Sequence, residues 1–234
     1  MEPELVADYE CMTGEGPLWH PGEQRVYWVD IPQGRLFWYD PATGQHKQCL
    51  QTDLVGGFTI QDDEALLLFM ARGAVRVWQR NALRTVIEDI PDERATRFND
   101  VIADPVGRVF CGTMPTKERL GRLYRLDTDG KITKLLDGIG CSNGMGFTPD
   151  RKHMYYTDTG KREIYLFDYD QETVEKSSKH WTKGVEAVAI QERAFEGVGL
   201  QMRLKPIRQV WKAWDGVIMT DGTACGFPDV LLRV

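Results

Sequence analysis

Between residues 10 and 175 apolar and polar positions alternate in short runs, and no long stretch repeats its apolar residues every third and fourth place. Runs such as RVYWVD (25–30), AVRVWQR (74–80), GRLYRL (121–126) and REIYLFD (162–168) are rich in Val, Leu, Tyr, Phe and Trp. These residues suit a half-buried pleated surface, and the intervening DPATG, TDG and TPD supply the Gly, Asp and Pro that tight turns need. The pattern predicts short antiparallel strands joined by turns.

Four segments share one plan: a short apolar opening, a Pro/Gly/Asp turn, a strand, and a second strand. They are GPLWHPGEQRVYWVD (16–30) with GRLFWYDPATG (34–44), GGFTIQDDEALLLFM (56–70) with AVRVWQR (74–80), FNDVIADPVGRVFCGT (98–113) with GRLYRLDTDG (121–130), and NGMGFTPDRKHMYYTD (143–158) with REIYLFDYDQET (162–173). Asp40, Asp127 and Asp168 follow the second strand in equivalent places, the last two about forty residues apart. That period is one four-stranded blade of an all-β propeller. A single blade cannot bury both faces, so blades pack radially and a channel mouth becomes the natural ligand site.

After residue 175 the rhythm changes. Residues 184–209, GVEAVAIQERAFEGVGLQMRLKPIRQ, lack Asp and carry an Ala/Glu/Gln/Arg mixture that predicts helix rather than blade. VWKAWDG (210–216) then returns to strand vocabulary.

Composition narrows the function classes. With 42% apolar and 27% charged residues the chain is an ordinary globular protein with a packed core. Its net charge of -6 is spread along the 234 residues without Lys/Arg clusters, so neither nucleic acid nor an anionic membrane surface is an expected partner. Met1 is followed by Glu2 and Glu4 rather than a basic and then apolar leader, and no apolar run reaches the ~20 residues of a membrane span. A cytoplasmic protein is the expectation. Cys11, Cys49, Cys111, Cys141 and Cys225 are odd in number and widely spaced, which points to small core residues in a reducing compartment.

Candidate chemistry sits where each repeat begins, on the strand that would line the channel. Glu15 precedes Gly16-Pro17, Arg97 and Asn99 flank Phe98, and Asn143 precedes Gly144. One carboxylate and amide oxygens converging from separate blades would form a hard-oxygen site of the kind that Ca²⁺, Mg²⁺ or Mn²⁺ accepts.

The strings TGEGPLWHPGEQRVYWVDI, LVGGFTI, RFNDVIADPVGRVFCGTM and IGCSNGMGFTPDRKHMYYTDT, in this order, resemble the blade starts of the gluconolactonase/regucalcin (SMP-30-like) family. The resemblance spans roughly residues 8–172 and implies a six-bladed propeller, here with about four clear blades and an irregular C-terminal segment. It further implies a single propeller-type domain over 1–234, with family-like blades at 8–175 and an atypical segment at 176–234. The implied activity is metal-dependent hydrolysis of a sugar lactone, by a monomer holding a divalent ion (Ca²⁺, Zn²⁺, Mn²⁺ or Mg²⁺). Glu15 and Asn143 would be metal ligands, while Arg97 and Asn99 would bind the substrate. Asp100, in the same motif, would orient neighbours or cap a turn.

The family's third ligand, an Asp in a Pro-Asp-Gly motif that is also thought to be the catalytic base, has no counterpart. No Asp lies between Asp170 and Asp215, and no Pro-Asp-Gly occurs. Trp214-Asp215-Gly216 resembles a segment a little downstream of that motif, so Asp215 is a weak substitute and the catalytic base stays unassigned. The alternative implied by this departure is a non-catalytic, metal-binding regulatory or interaction protein. An incompletely closed propeller would also expose strand edges, which predicts poor solubility.

Three further features are assigned to packing or backbone. His20, His46, His153 and His180 fall at turns and strand ends without metal-ligand spacing, and are expected at the surface. Trp28, Trp38 and Trp78 fall on strands, which predicts core packing rather than carbohydrate stacking. Gly56-Gly57 is expected to let an inner strand approach the channel axis closely.

Overall fold

A computed structural model describes residues 5–171 and two further strands, 209–214 and 217–222. The first blade is β1 (Gly14–His20), β2 (Arg25–Asp30), β3 (Arg35–Tyr39) and β4 (His46–Gln51). The second is β5 (Val55–Ile60), β6 (Leu66–Met70), β7 (Val75–Gln79) and β8 (Ala82–Ile87). The third is β9 (Phe98–Ala103), β10 (Val109–Thr113), β11 (Gly121–Leu126) and β12 (Ile132–Ile139). Described strands of the fourth are β13 (Ser142–Phe147), β14 (His153–Asp158) and β15 (Glu163–Asp168), and β16 (Gln209–Trp214) pairs with β17 (Val217–Gly222) as an antiparallel hairpin. Within each blade every strand pairs antiparallel with the next in sequence. The described residues are thus all-β, with four blades of a propeller.

Side-chain alternation explains how the blades stack. Successive residues of a strand point to opposite faces, so β6, LLLFM, divides its apolar set between two neighbours. Leu66, Leu68 and Met70 join Tyr27, Val29, Ile31 and Leu36 in the core between blades 1 and 2. Leu67 and Phe69 instead meet Phe98, Val109, Cys111 and Tyr124 between blades 2 and 3. All five β6 residues are therefore buried, which is why this strand reads as a continuous apolar run rather than an alternating one. Phe110 and Leu123 of blade 3 meet Met145, Met154, Tyr156 and Phe167 of blade 4 in a third core. On its other face blade 1 is covered by the N-terminal segment, where Ala7 and Tyr9 pack on Trp28, Phe37 and Tyr39. Trp28 stacks on Phe37 at a centroid distance of 5.2 Å.

Polar residues join this packing at the blade ends. Buried Asp104 accepts from the Arg108 Nε at 2.6 Å and from the Tyr169 hydroxyl at 2.9 Å, tying a turn of blade 3 to the end of blade 4. His20 departs from its expected surface position. Its ring is almost wholly buried, with Nε2 within 3.0 Å of the Glu64 carbonyl and Nδ1 accepting from the Glu23 N–H. It fastens the first turn of blade 1 to that of blade 2, a structural role that spacing could not show.

The predicted stretch without long helices holds: among the described residues the one helical turn is the short 3-10 turn Pro91–Glu93. No helix among them is long and apolar enough to cross a membrane. VWKAWDG does contain a strand, β16. The helix predicted at 184–209 falls outside the described residues for 184–208, and Asp215, His180 and Cys225 lie outside them too.

Candidate functional site

One backbone hydrogen bond recurs at the head of all four blades. The N–H groups of Ile31, Ala71, Met114 and Thr159 donate to the carbonyls of Thr13, Leu54, Arg97 and Cys141, at 3.0, 3.2, 3.0 and 3.0 Å. This bond aligns the repeats more closely than sequence similarity does. Two residues past each acceptor, on the inner strand, stand Glu15, Gly56, Asn99 and Asn143.

These positions coincide with register breaks. The pairing slips between Glu15 and Leu18 in β1, between Val55 and Gly57 in β5, opposite Cys111–Thr113 in β9, and between Asn143 and Met145 in β13. A bulge bends its strand and re-aims the side chain beside it, and such bulges concentrate next to functional sites. Gly16 (φ 64°) and Gly144 (φ 36°) follow Glu15 and Asn143 in left-handed backbone that glycine adopts readily. Here the GEG and SNG motifs become geometry.

Gly56 explains why blade 2 brings no side chain to its equivalent position. A Cβ there would lie 2.0 Å from the Phe98 carbonyl oxygen, and one on Gly57 would lie 2.8 Å from that of Asn99. The close approach that the glycine pair permits is thus to the neighbouring inner strand β9, rather than to the channel axis as expected, because the atoms a Cβ would meet are β9 backbone.

Arg97, Asn99 and Asn143 form a hydrogen-bonded line. Arg97 Nη1 donates to Asn99 Oδ1 at 2.6 Å and to the Phe98 carbonyl at 2.9 Å. Asn99 Nδ2 donates across the blade boundary to the Ser142 carbonyl at 2.8 Å and to Asn143 Oδ1 at 3.3 Å. Asn143 Nδ2 donates to the Thr159 hydroxyl at 3.2 Å. Each amide is oriented by its neighbours, because Arg97 can only donate and so faces the Asn99 oxygen. Asn99 is buried, while Glu15, Arg97 and Asn143 are half-buried.

Glu15 belongs to the same electrostatic neighbourhood. Desolvation lowers the pKa of the Arg97 guanidinium from its ordinary value, and the negative charge of Glu15 opposes that shift, as does Cys141 to a lesser extent. Asp100 Oδ1 accepts the N–H of Val101 at 2.9 Å, a local backbone contact of the kind expected for it.

The donors suit a cation of the oxygen-loving class. Among the described residues no three His, Cys, Asp or Glu side chains gather as a metal cluster. The Glu15 carboxylate and the Asn143 amide oxygen are donors of the kind that hard divalent ions accept. Thr159 is the residue that sequence reasoning missed. Its signal is indirect: Asn143 has two polar ends, and a fixed amide needs an acceptor for the other one.

The chain is similar to known proteins over most of its length. The family described as the SMP-30/gluconolactonase/LRE-like region matches residues 13–191, some twenty residues beyond the end of the motif resemblance at 8–172. Pentonolactonase XacC of Haloferax volcanii is 46% identical over an alignment covering 96% of this chain and 76% of that protein, so likeness extends well past residue 175. The 6-deoxy-6-sulfogluconolactonase of Pseudomonas putida is 30% identical over 72% of this chain and 59% of its own length. The crystal structure of the calcium-binding protein regucalcin from Agrobacterium tumefaciens shares the fold, with a TM-score of 0.66 and 23% identity over 72% of this chain and 58% of that one. The chain thus spans three-quarters of the pentonolactonase and less than two-thirds of the other two. With the family matching most of its length, the chain belongs to the SMP-30/gluconolactonase/LRE-like family.

Proposed function

We propose that this protein hydrolyses a sugar lactone at the ring of inner-strand residues, with a divalent cation held by Glu15 and Asn143 and the substrate held by Arg97 and Asn99. The observation that carries the reading is the line Arg97–Asn99–Asn143, which joins two of the proposed roles through direct hydrogen bonds. Two relatives named as sugar lactonases support the substrate class.

The chemistry asks for three things. Water must attack the lactone carbonyl, the ring C–O bond must break, and the departing ring oxygen must gain a proton to leave the open hydroxy acid. A bound divalent ion would supply Lewis acidity to the carbonyl and make a water more acidic. Arg97 offers a planar fork of N–H donors, suited to the ring and carbonyl oxygens of a lactone and to the carboxylate of its product. Asn99, held at its oxygen by Arg97, keeps the Arg97 fork in one orientation beside the ligand. Burial of Asn99 and half-burial of Arg97 limit competing water and strengthen each polar contact.

A second reading, a metal-binding protein without catalysis, is favoured by one observation: no Asp lies between Asp170 and Asp215. One experiment separates the two. Acid release from gluconolactone or a pentonolactone, with added Ca²⁺, Mn²⁺, Mg²⁺ or Zn²⁺, should exceed the spontaneous rate and fall to it in Glu15→Ala and Asn143→Ala. Rates equal to buffer for the unaltered protein with every ion would overturn the enzyme reading. Calcium binding without turnover would establish the second.

A further inference from the structure

The head-of-blade hydrogen bond also aligns the last residue of each second strand. Those residues are Asp30, Met70, Thr113 and Asp158, one position before the donor in each blade. Only blades 1 and 4, which carry Glu15 and Asn143, have a carboxylate there. Both carboxylates are fully buried, and a buried carboxylate is costly unless its oxygens are satisfied.

Their partners show what they do. Asp158 Oδ2 accepts the N–H of Gly140 at 2.8 Å, and its Oδ1 accepts those of Cys141 at 2.9 Å and Lys161 at 3.2 Å. Lys161 Nζ lies 3.5 Å from Oδ2. Asp30 Oδ1 accepts the N–H of Thr13 at 3.0 Å, while Arg35 binds Oδ2 through Nε at 3.0 Å and Nη2 at 2.6 Å. Thr13 and Cys141 are register equivalents, and each lies two residues before a proposed ligand. Each carboxylate therefore clamps the chain where it enters the inner strand, just ahead of the bulge that aims the ligand.

The other two blades lack this clamp. Met70 is an apolar core residue, and the Thr113 hydroxyl accepts the N–H of Arg122 on β11 of its own blade. The carboxylate follows the ligand, not the fold.

We infer that Asp30 and Asp158 are a matched pair of positioning residues that hold the approaches to β1 and β13, so that the Glu15 carboxylate and the Asn143 amide oxygen meet one divalent cation. The inference rests on the metal reading of the site given above. Aspartate is required rather than asparagine at position 158 because both oxygens accept from N–H donors, and an amide nitrogen would oppose one of them.

Calorimetric titration of the purified full chain with Ca²⁺ and with Mn²⁺ tests this, alongside thermal unfolding of each metal-free variant. Asp30→Asn and Asp158→Asn should each weaken the cation Kd by about tenfold or more, as expected for an outer partner of a ligand. Thr113→Val, the same place in a blade without a proposed metal ligand, should lower the unfolding temperature yet leave Kd within twofold. Should both aspartate variants also leave Kd within twofold while losing stability, the carboxylates are structural only and the inference is overturned. If instead the unaltered protein binds neither ion, or Glu15→Ala binds as well as it does, the metal reading itself fails. Where a variant does not fold, backbone amide exchange in the unaltered protein replaces it. Cation saturation should slow exchange at Thr13 and Cys141 by at least tenfold, and no change at either would overturn the inference.

Discussion

Blades 2 and 4 share a backbone plan and differ in what they carry. Each is headed by the same hydrogen bond, Ala71 to Leu54 in one and Thr159 to Cys141 in the other, and each inner strand breaks register just beyond it. At the break blade 2 has Gly56, squeezed against the Phe98 carbonyl, while blade 4 has Asn143, linked to Asn99 and Thr159. Behind it blade 2 buries Met70 and blade 4 buries Asp158. The repeat thus supplies positions, and chemistry is placed at some of them while others are left to packing.

The largest effect should come from making a ligand-bearing blade as blank as blade 2. Glu15→Gln removes the proposed site's full negative charge with little change in shape. Cation affinity by calorimetry should fall about 100-fold or more, since ligand charge tunes such affinities over several decades. The melting temperature of the metal-free protein should change little, because Glu15 is only half-buried. An unaltered Kd would show that blade 1 is as blank as blade 2.

The converse substitution tests why blade 2 is blank. Gly56→Ala places a Cβ 2.0 Å from the Phe98 oxygen and 2.5 Å from its carbon, both backbone atoms that cannot swing aside. Destabilisation of about 2–3 kcal/mol is expected in urea unfolding, the upper range for overpacking. A neutral result would mean that β5 and β9 can separate, and that close packing is not what keeps position 56 free of a side chain.

The fold was open to reading because it is local and repeated. Turn residues and the Val/Tyr/Trp strands mark each blade, and the continuous run LLLFM marks a strand buried on both faces. Site positions were visible as polar residues at repeat starts, where a motif such as SNGMG interrupts an apolar strand. Less was visible of what holds them. Asp30 and Asp158 end the strings RVYWVD and HMYYTD and look like ordinary strand-end residues. Their bonds to Thr13 and to Gly140 and Cys141 cross between adjacent strands and depend on register, which bulges shift by amounts the sequence does not state. His20 shows the same limit, since its partner Glu64 belongs to another blade.

A finer probe of blade 4 is Thr159→Val. The variant is nearly isosteric and deprives Asn143 Nδ2 of its acceptor. The amide is then free to turn, so cation affinity should weaken about tenfold, with a stability cost of only about 1 kcal/mol. Thr159→Ser should restore binding, because it returns the hydroxyl. Equal affinity in the valine variant would assign the orientation of Asn143 to Asn99 alone.

The smallest effect should come from a carboxylate outside this arrangement. Asp137 lies on the outer strand β12, more than half exposed, paired with Arg122 Nε at 2.7 Å and Lys134 Nζ at 2.9 Å. Lys134, and then Arg122, lower its pKa below the ordinary value. A depressed carboxylate stabilises the fold above its unfolded pKa of about 3.9, and the contribution disappears as pH falls through the lower folded value. Asp137→Asn should thus cost only a few tenths of a kcal/mol at neutral pH, after solvent screening is allowed for. The difference from the unaltered protein should shrink as pH falls below the unfolded value, vanish once Asp137 is protonated in the fold, and be smaller in high salt. Asp158 has the same side chain and also faces a lysine, but buried against backbone N–H groups it should show almost no such salt dependence. Matching salt profiles for the two variants would mean that burial at the blade head does not separate a positioning carboxylate from a surface one.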